Sequence, residues 1–70
     1  MEEDINFTDT EINAMKTMFK TFADMQSERN IDPDDYGSTL GCNFNNAMCA
    51  LMNLMFMNAE TENFIYECGY

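Results

Sequence analysis

From Tyr36 to Ala59 the chain carries no charged residue, although Asp and Glu together number 13 among its 70 residues. Within that run Phe44, Ala47, Met48, Leu51, Met52, Leu54 and Met55 recur at spacings of three and four, which predicts a helix from about Asn43 to about Asn58. Ala50, Phe56 and Met57 spill onto its other sides. A helix that is apolar most of the way round is buried on several sides. The rest of the chain, or a second molecule, has to cover it. Asn53 interrupts the run, and Asn43, Asn45, Asn46 and Asn58 flank it, so it falls short of a membrane span.

The obvious cover is an earlier helix, predicted over Asp9–Glu28. Thr8-Asp9-Thr10-Glu11 fits a capping box, with Phe7 before the cap and Ile12 after it as a hydrophobic staple. Asp9 and Glu11 also suit the positive end of the helix dipole. Ile12, Met15, Phe19 and Phe22 form the inward stripe, widened by Met18 and Met25. Asn13, Lys16, Thr17, Lys20, Asp24 and Ser27 form the outer face. Asn30 reads as a left-handed C-cap.

Residues 30–42 read as a connector with at most one short helical turn at Asp32-Pro33-Asp34-Asp35, and within it Gly37 and Gly41 bracket a flexible stretch. For Glu60–Tyr70 the expectation is a short third helix capped by Thr61, with a strand through Phe64-Ile65-Tyr66 as the alternative. The predicted fold is therefore all-α or nearly so: a single domain over 1–70, a two-helix hairpin with a connector turn and a short C-terminal element.

The formal net charge is -10. A field of that sign repels nucleic acid and anionic membrane and attracts basic protein surfaces. No histidine is present, which removes the commonest general base and metal ligand. No nucleophile has an evident partner, and there is no glycine-rich phosphate loop. The expectation is a protein that is not an enzyme and needs neither cofactor nor metal. Cys42, Cys49 and Cys68 are odd in number and lack CxxC spacing. The acidic Met1-Glu2-Glu3-Asp4 does not fit a secretory leader, so reduced thiols in a cytoplasm are expected, a host cytoplasm if the source is viral. Cys49 reads as a small core hydrophobe.

Two kinds of binding residue stand out. The carboxylates Asp24, Glu28, Asp32, Asp34 and Asp35 cluster along the chain, as do Glu60, Glu62 and Glu67, and a further cluster is Glu2, Glu3 and Asp4. Spaced on a rigid scaffold, such groups stand in for phosphates and occupy a basic groove. Phe56, Met57, Tyr36 and Tyr66 are the candidate apolar anchors, aromatic residues being favoured at interfaces. The leading expectation is an inhibitor that docks on the basic, nucleic-acid-binding surface of a protein partner, without contacting nucleic acid itself. In size and charge the chain resembles the small acidic helical proteins that bacteriophages use against host defence, including anti-CRISPR and anti-restriction proteins. The alternative is a dimeric helical adaptor that pairs through the uncharged helix 43–58.

Phe19-Lys20-Thr21-Phe22-Ala23-Asp24 also resembles the entering helix of an EF-hand, with Asp24 at the first and Asp35 at the last position of the calcium loop. The resemblance implies a degenerate calcium module. It departs from the pattern at Arg29, where the turn needs glycine, at Gln26, and at Asp35, which stands where a bidentate Glu is usual.

Overall fold

The computed structural model describes residues 4–70, and the candidate carboxylates Glu2 and Glu3 lie outside them. The fold is all-α: α1 spans Asp9–Arg29, α2 Thr39–Met55 and α3 Ala59–Glu67. Phe22, late in α1, meets Phe44, early in α2, with ring centroids 5.6 Å apart. The two helices therefore form an antiparallel hairpin. Helix α3 folds back along α1, tied at one end by Lys16 to Glu60 and at the other by Gln26 to Tyr70.

Helix α1 begins as its sequence dictates. The Thr8 N–H donates to the Glu11 carboxylate at 2.8 Å, and the Glu11 N–H donates to Thr8 Oγ1 at 3.1 Å. It ends at Asn30, whose φ of 53° is the left-handed conformation asparagine tolerates. The next residue, Ile31, donates its N–H back to the Gln26 carbonyl and buries its side chain in the core. That core is one cluster: Ile12, Met15 and Phe19 from α1, Ile31, then Phe44, Met48, Leu51 and Met55 from α2, and Ile65 from α3.

Three boundaries differ from the sequence expectation. Helix α2 starts at Thr39 rather than near Asn43, because the Ser38 hydroxyl caps the Gly41 N–H at 3.0 Å. Gly41 is consequently not a flexible bracket but a buried helical residue. A Cβ there would stand 2.5 Å from the Asp35 carboxylate and 2.9 Å from its backbone oxygen. Helix α2 also stops at Met55, short of Asn58. Asn58 instead caps α3, its Oδ1 accepting from the Glu60 and Thr61 N–H groups at 2.9 and 3.1 Å. Thr61, expected as that cap, is fully buried and donates its hydroxyl to the Met55 carbonyl.

The segment before α1 is a strap across the α2–α3 turn. The Ile5 N–H donates to the Met57 carbonyl, and Asn58 Nδ2 donates to the Ile5 carbonyl, both at 2.8 Å. Asp4 Oδ1 accepts the Ala59 N–H at 2.9 Å. The first backbone donors of α3 are thus satisfied by Asp4 and Asn58 together, and the Asp4 charge lies where the helix dipole favours it. At the other end Gly69, at φ 95°, turns the chain so that Tyr70 lies against α1. A side chain at that φ is strained.

Candidate functional site

The acidic candidates from α1 and the connector share one pole of the molecule. Asp24 and Glu28 are exposed on the last turns of α1, and Asp32 and Asp34 are exposed in the turn that follows. This turn is ordered by its own aspartates. Asp32 Oδ1 accepts the Asp34 N–H at 2.9 Å, and the Asp32 carbonyl accepts the Asp35 N–H at 3.0 Å. Beneath it the buried Asn45 donates from Nδ2 to the Asp32 and Asp35 carbonyls at 3.0 and 2.9 Å. The connector carbonyls are thereby paired from below while the Asp32 and Asp34 side chains face solvent.

Asp35 belongs to the scaffold rather than to the exposed set. It accepts from the Ser38 hydroxyl at 2.7 Å, the Ser38 N–H at 3.1 Å and the Gly37 N–H at 2.9 Å. The Ser38 hydroxyl, then the Ser38 and Gly37 backbone donors, hold its carboxyl below the aspartate value of 3.8. Because the folded state lowers this pKa, the stabilising contribution is complete above the unfolded value and is lost as pH falls through the folded one. A carboxyl-resolved NMR titration is expected to place the Asp35 midpoint below that of an ordinary aspartate. A midpoint at or above 3.8 would remove Asp35 from this capping role.

Glu60 and Glu62 stand in the first turn of α3, at the opposite pole, and the longest extent of the molecule is 36 Å. Glu60 pairs with Lys16 Nζ at 3.1 Å, the one ion pair among the described residues. Lys16 also sits 5.4 Å above the Phe64 ring, a cation–π contact. Lys16 and Lys20 line a shallow depression of about 290 Å³ between α1 and α3 together with Asp24, so the two lysines stand between Glu60 and the connector carboxylates on that side. The carboxylates form two patches and not one.

The structure joins three of the apolar and acidic candidates in a single patch. The Phe56 and Tyr66 rings lie 6.1 Å apart, both exposed, and the Tyr66 hydroxyl donates to Glu62 at 3.2 Å. Partial desolvation, then the hydrogen bond and charge of Glu62, push the Tyr66 phenol above its usual pKa. Met57 is exposed on the turn beside Phe56. Tyr36 is also exposed, but it belongs to the connector pole. It lines a cavity of about 200 Å³ with Gln26, Pro33, Met52 and Tyr70. Cys49, expected in the core, is exposed in the wall of the same cavity. Its position on α2 lies to one side of the Phe44–Met48–Met55 stripe, so the apolar run around it misleads.

The segment that resembles a calcium loop is helical over its first half. Helix α1 continues through Asp24 to Arg29, so the loop turn that would present Asp24 to a cation is not formed. Among the described residues no three Cys, Asp or Glu side chains converge as a metal would need. No helix among them is long and apolar enough to cross a membrane. No protein-family model matches the chain, and no curated protein and no solved structure is significantly similar to it.

Asp4, grouped by sequence with Glu2 and Glu3, clasps α3 together with Ile5. Asn58, assigned to the end of α2, fits an N-cap followed by acidic residues at Glu60 and Glu62.

Proposed function

We propose that the protein is a non-catalytic binding module that sets its carboxylates against a basic, nucleic-acid-binding surface of a protein partner and blocks access to it. The observation that supports this is the uncompensated charge: a net -10 with a single ion pair among the described residues. Asp32 and Asp34 are held on an ordered turn, so little order has to be imposed when they dock. The Phe56–Tyr66 pair beside Glu62 provides a second contact with an apolar anchor. Charge of this kind speeds encounter, and the aromatic contact slows release. An inhibitor of the anti-CRISPR or anti-restriction type, working in the cytoplasm of a phage-infected host, is the biological role that such occupation fits.

The test is capture of partners on the tagged protein at low and high salt, followed by mass spectrometry. A nucleic-acid-binding protein held at about 0.05 M salt and depleted at about 0.5 M, where screening is strong, is the expected result. Asp32→Asn with Asp34→Asn should weaken that capture by about tenfold, the equivalent of roughly 1.4 kcal/mol. Capture only of partners indifferent to salt and to these substitutions would sink the proposal.

A further inference from the structure

Helix α2 has an outer face that nothing among the described residues covers. Leu40, Asn43, Ala47, Ala50 and Leu54 are all exposed, and Met57 continues the row just past the helix end. Their spacing alternates three and four throughout, which is the heptad seam of a helix that packs along another helix. The row lies on the flank of α2 away from Phe56, which contacts α3 through Tyr66. At its Leu54 end it borders a groove of about 270 Å³ that Phe7, Ala14 and Met18 line together with Glu11.

We infer that this row is the contact surface of a symmetric antiparallel dimer, with a second copy of the chain as the occupant. The pattern is its own mirror about a point between Ala47 and Ala50. Antiparallel pairing sets Leu40 against Met57 of the other copy, Asn43 against Leu54, and Ala47 against Ala50. A two-fold contact needs such self-complementarity. The two alanines at the centre let the helix backbones approach closely, while larger side chains close the ends. Charge leads to the same occupant. In a chain of net -10, α2 is the one helix with no charged residue, so its own side chains bring no carboxylate to the contact. A row of six side chains is small beside the roughly 1,600 Å² that a standard specific interface buries. The dimer is therefore weak and reversible, and it does not depend on the docking proposed above.

Salt separates the two ideas because its effects have opposite signs. Screening weakens docking on a basic partner, but it relieves the repulsion between two copies of like charge. Sedimentation of the full chain over about 0.01–0.5 mM should show a monomer–dimer equilibrium whose dimer fraction rises from about 0.05 to 1 M salt. Ala47→Glu should reduce dimerisation at least tenfold with unchanged helicity, since the position is exposed and glutamate is a good helix former. Adding Ala50→Lys to that variant should restore dimerisation, because the antiparallel register pairs each Glu with a Lys of the other copy. A monomer at every salt and concentration, or an Ala47→Glu variant that dimerises like the parent, overturns the inference. So does failure of the double variant to recover, as a parallel register would produce.

Discussion

Phe19→Ala is expected to remove about half of the domain's stability and to lower its thermal midpoint by roughly 12–40 °C. Phe19 is fully buried, and the edges of its ring meet Phe64 at 6.2 Å and Tyr70 at 5.2 Å between centroids. Truncating a buried phenylalanine costs about 3–5 kcal/mol in transfer and cavity terms. A chain of this size has roughly 4–10 kcal/mol of stability in all. The loss is compounded because Phe64 and Tyr70 hold the α3 side of the structure against that ring. Circular dichroism and a thermal melt of the variant provide the check. A cooperative transition close to that of the parent would mean that Phe19 is not the central side chain described here.

Asn45→Leu is expected to cost about 2 kcal/mol by removing two hydrogen bonds at a buried site without opening a cavity. The effect should be local as well as global. Asn45 alone supports the Asp32 and Asp35 carbonyls from the core side. Without it the turn that presents Asp32 and Asp34 loses its floor. Hydrogen exchange should quicken at the amides of Asp35, Gly37 and Ser38 more than along α1. If those amides keep their protection, the connector is ordered by its own aspartates and not by Asn45.

The start of α1 and its end at Asn30 were legible because each rests on groups adjacent in the chain: a capping box, a left-handed asparagine, a proline beyond. The start of α2 was not, because Gly37 and Gly41 look like breakers. Glycine at 41 answers a close approach by Asp35, a contact across the turn that local reading does not see. Thr61 was taken for a cap because its hydroxyl suits one, yet it is buried and bonded to the Met55 carbonyl. The acidic clusters were read by nearness in sequence. Because α3 runs alongside α1, Glu60 meets Lys16 in the first half of that helix, about two turns before Asp24. Which carboxylates share a patch thus depends on how α3 packs, and periodicity carries no information on that. The exposure of Phe56 and Met57 follows from the sequence, since two neighbouring helices cannot cover every side of a third; Tyr36 and Tyr66 are candidates by residue type alone, and they too are exposed.

Helix α3 has nine residues, too few to persist alone in water. Its ends are held by groups far away in the chain: Asp4 and Ile5 at its start, Gln26 through Tyr70 beyond its end. These contacts close long loops, and that closure costs chain entropy. They also release together, because freeing Asp4 and Ile5 unpairs the first turn of α3 and loosens its grip on Phe19. Helix α3 and the residue 4–7 segment therefore behave as one cooperative opening unit, the least stable part of the native state. A protease that samples such openings cuts first on either side of α3 and leaves the hairpin as the more slowly degraded fragment.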